Sequence, residues 1–312
     1  MFDHRFQPAS ALLLDSQSSM RYNTRVALLN IGFGEVEAVS NHSEFMERLE
    51  KKHFDLIVGD SRSVGEDTCD LIKQIRHNAI GHNPFVNVIV TLWDASPDVV
   101  HSTIDSGTDD LIIRPMSNAH LRDRVSGLVA ARKPFIVTSD YIGPERRQIV
   151  RGMSRVSQMV VPNSLQAKVE NKPELDATPE NIKHALQAVN DRKVTIYTEL
   201  FLHHSSRILS LGADPSKLQE RQELIKDMLS MNEDLEHRIL GSEFNHVAAF
   251  CDALRDLLRR LLTSNEDLKE QEQELLMQIP FAIHKACKEL RQSADLAFDI
   301  QDLTSILKTA SQ

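Results

Sequence analysis

The chain has 312 residues, a formal net charge of −9, 41% hydrophobic residues and only 5% aromatics, with a single tryptophan, Trp93. That length suits two domains, and the apolar share is enough for packed, aliphatic, helix-rich cores. The excess of acids argues against a protein whose main partner is nucleic acid, because holding a phosphate backbone rests on concentrated Lys and Arg. Three cysteines, Cys69, Cys251 and Cys287, lie far apart with no Cys-x-x-Cys pair, which argues against a disulfide framework or a zinc site. Each is expected as a small core residue. No apolar run has the length of a membrane span, and the expected compartment is the cytoplasm.

In chain order, four short apolar runs come first: Leu12-Leu13-Leu14-Asp15-Ser16, Asp55-Leu56-Ile57-Val58-Gly59-Asp60, Val88-Ile89-Val90-Thr91 and Leu111-Ile112-Ile113-Arg114-Pro115. Helical stretches separate them, so they are expected as parallel strands buried on both faces. In a doubly wound sheet the carboxyl ends of the strands share one edge, where ligands bind. Asp15, Asp60, Thr91 and Arg114 should therefore converge on one small site. It would hold one carboxylate that accepts an electrophile, a second acid, a hydroxyl and a cation.

These residues resemble the receiver domain of two-component response regulators over roughly the first 131 positions. Leu12 to Arg21 is similar to the family's first strand and the opening of its first helix. Asp55 to Asp60 is similar to the third strand, which ends in the phospho-accepting aspartate. Ser106-Gly107-Thr108-Asp109-Asp110 followed by Leu111 to Pro115 resembles the Gly-Ala-Asp-Asp turn and the Lys-Pro strand end. The resemblance implies an α/β doubly wound, parallel five-stranded sheet. It also implies a phosphoacceptor at Asp60, Mg²⁺ held by Asp15 and Asp60, and phosphate contacts from Thr91 and Arg114. The implied partner is a sensor histidine kinase or a phosphotransfer protein.

The site departs from the family pattern at several points. Ser16 stands where a second acid is usual, and a hydroxyl is a poorer ligand than a carboxylate for a hard cation. Arg114 replaces a lysine, keeping the charge but presenting a planar fork in place of a point charge. Arg62, two residues past Asp60, brings a second cation near the acid. Val64 replaces a common proline, and Leu111 stands where an aromatic is common. Leu92 competes with Thr91 for the hydroxyl position, because Gly107 lies one residue later than usual. Two readings follow: Asp60 is phosphorylated with Mg²⁺ bound, or the fold is a phosphorylation-independent pseudo-receiver scaffold in which Arg114 and Arg62 pair with Asp60.

The receiver-like region is expected over 10–131, then a basic linker over 132–175 carrying Gly143, Pro144, Gly152, Pro162 and Pro173 with Arg146, Arg147, Arg151 and Arg155. Thr138 to Arg147 resembles a short motif that recurs beside signalling domains, and Gly143-Pro144 marks a turn. From 176 to 312 the chain reads as a helical interaction and dimerisation domain, a bundle or coiled-coil-like unit. Thr178-Pro179-Glu180 starts a first helix that Gly212 stops. Asp214-Pro215 starts a second, running to Gly241. Ser242-Glu243 caps a third, a Glu- and Gln-rich stretch over 265–274 follows, and Pro280 opens the last. Apolar stripes with short loops favour antiparallel neighbours.

This half has 23 acids against 16 bases after residue 175. His203-His204 is followed by Arg207-Ile208 where phosphotransfer bundles place Lys-Gly, and His246 and His284 are isolated. Arg255, Arg259 and Arg260 interleave with Asp252 and Asp256, as on an ion-paired, solvated face. The expected output is contact with another protein, still to be identified, or with a second copy, not catalysis or DNA binding. A transcription or RNA-binding regulator is the weaker alternative.

Overall fold

The computed structural model describes residues 2–61, 67–146, 157–212, 215–240, 243–264 and 268–309, with side chains along the last helix as far as Glu289. Contacts divide the chain into two units, 1–188 and 189–312.

Strands and helices alternate through the first part: β1 (Ser10–Leu14), α1 (Ser18–Ile31), β2 (Glu35–Val39), α2 (His42–Lys51), β3 (Leu56–Asp60), α3 (Thr68–Arg76), β4 (Asn87–Leu92), α4 (Pro97–Asp105), β5 (Asp110–Ile113) and α5 (Asn118–Ala131). All five strands are parallel, in the order β2-β1-β3-β4-β5. Side chains alternate along a strand, so neighbouring residues feed different cores. Leu13, Val58, Ile89 and Ile112 pack with Leu28, Leu121 and Val125 on one face. Leu12, Leu14, Ile57, Val88 and Val90 pack with Phe45, Leu71 and Ile75 on the other. Several helix starts carry side-chain caps: Asn41 accepts from the Glu44 amide, Asp67 from Cys69 and Ser117 from His120.

The segment expected as a linker is folded onto this sheet. It contains β6 (Phe135–Val137), β7 (Ile142–Pro144), β8 (Gln158–Met159) and α6 (Ser164–Glu170), the strands forming a small antiparallel sheet in the order β7-β6-β8. Leu165 and Val169 of α6 belong to the same apolar core as β1 and β3. Asn163 caps α6 and also bonds back to β4 and α5, its Oδ1 accepting from Asn87 Nδ2 at 2.8 Å and its Nδ2 donating to the Leu128 carbonyl at 3.0 Å. Lys168 reaches buried Asp55 at 2.8 Å. These partners lie far away in sequence, which is why composition alone suggested a solvated tether.

The motif around Tyr141 closes the β6–β7 hairpin. Tyr141 Oη donates to the Pro144 carbonyl at 2.7 Å, and the Arg146 guanidinium lies over the Tyr141 ring while pairing with Asp105 at the end of α4. Gly143 is required here: a Cβ would come within 2.8 Å of the Gly107 Cα and 2.6 Å of Tyr141 Oη. Phe135 is wholly buried against Phe85, with the guanidinium carbons of Arg76 and Arg132 at 5.1 and 4.9 Å from its ring centre. Arg147, Arg151, Arg155 and Gly152 lie outside the described residues.

The helical part contains α7 (Pro179–Leu211), α8 (Leu218–Ile239), α9 (Ala248–Thr263) and α10 (Glu270–Thr309). Gly212, with φ of +55°, ends α7 in the left-handed conformation that favours glycine. A single turn of 3₁₀ helix precedes α8 (Pro215–Lys217), and a slightly longer one precedes α9 (Glu243–Val247). Asp214, Gly241, Ser242, residues 265–267 and the side chains of Leu290, Leu296, Ile300, Leu303 and Leu307 lie outside what is described. Pro280 does not open a helix. It sits inside α10, where buried Leu276, Ile283 and Cys287 hold one continuous face against the core and outweigh the backbone hydrogen bond that proline cannot donate. All three cysteines are buried, and burial raises the Cys69 thiol to about 11 and the Cys251 thiol to about 12, as suits inert core residues.

A polar network crosses the α7–α8 contact. Fully buried Lys193 donates to Tyr197 Oη at 3.1 Å, Tyr197 donates to Asp234, and Arg238 Nε donates to the same carboxylate at 2.9 Å. Burial by itself would raise the Asp234 carboxyl, but the bonds from Arg238 outweigh it and hold the group below its ordinary value. A carboxyl lowered in this way contributes stability above its unfolded pKa and loses it as pH falls through the folded value. Asp234→Asn should therefore destabilise the helical part at neutral pH, and the gap from the parent should close on acidification. Urea unfolding followed by far-UV circular dichroism at several pH values checks this; a gap that does not change with pH would rule out the carboxylate as its source.

Candidate functional site

The order β2-β1-β3-β4-β5 reverses direction between β1 and β3, and a doubly wound sheet binds ligands at the carboxyl ends of the strands beside such a reversal. Asp15 follows β1, and Asp60 is the last residue of β3. Both are buried to 1% exposure. The β3–β4 register sets Asp60 opposite Thr91, and the Thr91 hydroxyl donates to Asp60 Oδ1 at 2.9 Å. Leu92 is packed among the apolar residues of the second core, so Thr91 takes the hydroxyl position.

Arg114, just past β5, ties the site together. Its amide donates to the Leu92 carbonyl at 2.7 Å, which fixes the start of the side chain. Nη2 then donates to Asp15 Oδ2 at 2.8 Å, and Nε stands 3.4 Å from Asp60 Oδ1, an ion-pair distance without a well-formed hydrogen bond. The guanidinium carbon lies 5.4 Å from the centre of the Trp93 ring. Asp15 is held from the other side by the Gln17 amide on Oδ1 at 2.9 Å, and its carbonyl accepts from Arg21 Nη1 at 2.7 Å. Burial raises the Asp15 carboxyl above its ordinary value despite the Gln17 amide and Arg114. Asp60 is anchored in turn by Thr68 Oγ1, which donates to its carbonyl at 2.8 Å. Arg62 and Val64 lie outside the described residues, and Leu111 is half-buried against the second core.

The four residues expected to converge do so, but the donor set does not fit a divalent cation. Mg²⁺ needs near-octahedral oxygen ligands at about 2.0–2.1 Å. Here one oxygen of Asp15 is bonded to a guanidinium, and one oxygen of Asp60 accepts from Thr91 and faces the same guanidinium. Ser16 adds no charge. Among the described residues no group of three or more His, Cys, Asp or Glu side chains is placed to hold a metal ion.

Sequence reasoning missed a second buried charged cluster. Asp109 accepts from Arg76 Nη2 at 2.9 Å, from Arg132 Nε at 2.7 Å and from the Val88 amide at 2.8 Å. Arg76 also donates to the carbonyls of Pro84, Val86 and Gly107, and burial lowers it to about 10. Asp109 was legible only as part of a turn, while its two arginines come from helix ends elsewhere in the chain. In the helical part, His203 is exposed on α7 and His204 half-buried beside it. Arg255 pairs with Glu236 and Asp252, and Arg259 lies 3.9 Å from Glu233, as an ion-paired face requires.

Residues 11–126 match the family model of the response regulator receiver domain, and this part of the chain is a CheY-like receiver domain. The chemotaxis protein CheY-3 of Vibrio cholerae is 25% identical over 115 residues, which are 36% of this chain and 86% of that protein. Among solved structures, CheY4 of Vibrio cholerae is similar with a TM-score of 0.35 and 20% identity, covering 38% of this chain and 96% of that one. The receiver domain of a sensor histidine kinase from Pseudomonas aeruginosa, described with a magnesium ion coordinated in its active-site cleft, has a TM-score of 0.34 and 20% identity over 38% of this chain and 94% of that one. A helical region follows this receiver domain. Among the described residues no helix is long and apolar enough to cross a membrane.

Proposed function

We propose that this protein accepts a phosphoryl group on Asp60 from the phosphohistidine of a partner kinase or phosphotransfer protein, and passes the signal on through protein contacts of its helical part. The observation that supports the reading is the Asp60 carboxylate at the end of β3, with the Thr91 hydroxyl 2.9 Å from one oxygen and the Arg114 guanidinium facing it. In the transfer an Asp60 oxygen bonds to phosphorus as the N–P bond breaks. The imidazole leaves with the electron pair and is left neutral. Thr91 hydrogen-bonds one phosphoryl oxygen, and Arg114 exchanges Asp15 for another, where a bidentate guanidinium suits a phosphate.

The output half is acidic and Arg207, Arg238 and Arg255 are paired with neighbouring acids, a surface suited to protein partners or a second copy of the chain and unsuited to nucleic acid. A second reading has its own observation. The bond from Arg114 to Asp15 neutralises the pocket from within, as a pseudo-receiver kept for docking would need. Incubation with a small phosphodonor, followed by intact mass, separates the two. The parent should gain one phosphoryl group and Asp60→Asn none; a parent that gains nothing leaves the docking module as the function.

A further inference from the structure

We infer that Arg114 is the resident cation of this pocket: its guanidinium stands where a divalent ion would have to sit, and the protein does not bind Mg²⁺ there. The inference concerns the pocket used by the phosphoryl-transfer reading, but it holds whether or not Asp60 is phosphorylated.

Geometry carries it. The Arg114 side chain is 3% exposed, and its Nη2 and Nε face one oxygen each of Asp15 and Asp60. Any ion bridging those two carboxylates would have to enter between them, against the guanidinium. The chemistry of the side chain explains why arginine does this and lysine does not. A planar fork spans two carboxylates at once, whereas an ammonium is a compact point charge that serves one and leaves room beside it. The Trp93 ring near the guanidinium adds a further attraction for the cation in place.

Charge points the same way. The guanidinium already offsets charge on Asp15 and Asp60, and Ser16 does not add the negative charge that a third acid would supply. A dication brought in must strip its water, displace Arg114 from Asp15, and leave a buried guanidinium without its partner. An incoming phosphoryl group does the reverse, because it brings anionic oxygens to the same guanidinium.

Trp93 is the sole tryptophan of the chain and lies beside Arg114, so its emission reads the pocket directly. Mg²⁺ titrated into the full-length protein without phosphodonor should leave Trp93 emission and the calorimetric heat without a saturable change through the millimolar range. Ser16→Asp combined with Arg114→Lys restores an acid and shrinks the cation, and should give a saturable response in both. Arg114→Lys alone serves if the double variant does not fold, and should respond more weakly. Saturation of the parent protein at millimolar Mg²⁺ or below would overturn the inference. So would a folded variant as unresponsive as the parent, because Arg114 would then not be what keeps the ion out. Phosphorylation measured by intact mass is a separate readout, so failure of either idea leaves the other identifiable.

Discussion

Replacing Asp109 with asparagine should lower the stability of the receiver part by about 3–5 kcal/mol, the range for removing one partner of a buried ion pair. The substitution keeps the shape but removes the carboxylate that Arg76 and Arg132 share. Their side chains are 0% and 5% exposed, so neither can turn to water for compensation. Two neighbouring guanidinium groups, both near the Phe135 ring, would then lose the anion they share. Urea unfolding followed by Trp93 emission reads this unit alone. A loss below about 1 kcal/mol, the scale of an exposed pair, would mean that water reaches the cluster.

The second large effect is expected at Arg114. Arg114→Ala should cost on the order of 3 kcal/mol, because it removes the guanidinium that faces both buried carboxylates, Asp15 and Asp60. Adding Asp60→Asn removes one of the two charges, so the double variant should be less destabilised than the two single losses predict, with a coupling of about 0.5–3 kcal/mol. Additive losses would mean that the two side chains do not interact. The sign of the pH dependence follows from Asp15. Burial raises its carboxyl, and an acid raised in the folded state favours folding most at low pH and loses that contribution as pH rises through its folded value. The defect of Arg114→Ala should therefore be greatest at neutral pH and shrink as acid protonates Asp15. A defect that grows on acidification would contradict this assignment.

Much of the receiver was legible in the sequence because its strands are nearly continuous apolar runs. Buried on both faces, β1, β3 and β4 need Leu, Ile and Val at almost every position, and such runs stand out locally. The edge strand β2 does not stand out in this way, because Glu35-Val36-Glu37-Ala38-Val39 is partly exposed and has no continuous apolar run. Asp15, Asp60 and Arg114 could be placed at the strand ends by chain order alone, since a parallel doubly wound sheet brings those ends to one edge.

Tertiary structure decided the rest, wherever the deciding partner is distant along the chain. The choice of Thr91 over Leu92 rests on the β3–β4 register, which a one-residue slip would reverse by turning each side chain to the opposite face. The segment after residue 131 has Pro, Gly and Arg in the proportions of a solvated tether. Its real environment comes from Asn87, which meets Asn163 76 residues later, and from Asp55, which meets Lys168 113 residues later. Pro280 carries a local signal for a helix start, yet the buried face of Leu276, Ile283 and Cys287 continues the helix through it. The bridging of Asp15 and Asp60 by Arg114 depends on a side chain 99 residues from the first acid, brought there by the sheet. Sequence determined which groups occupy the pocket; the order of the strands decided that one guanidinium would face both acids.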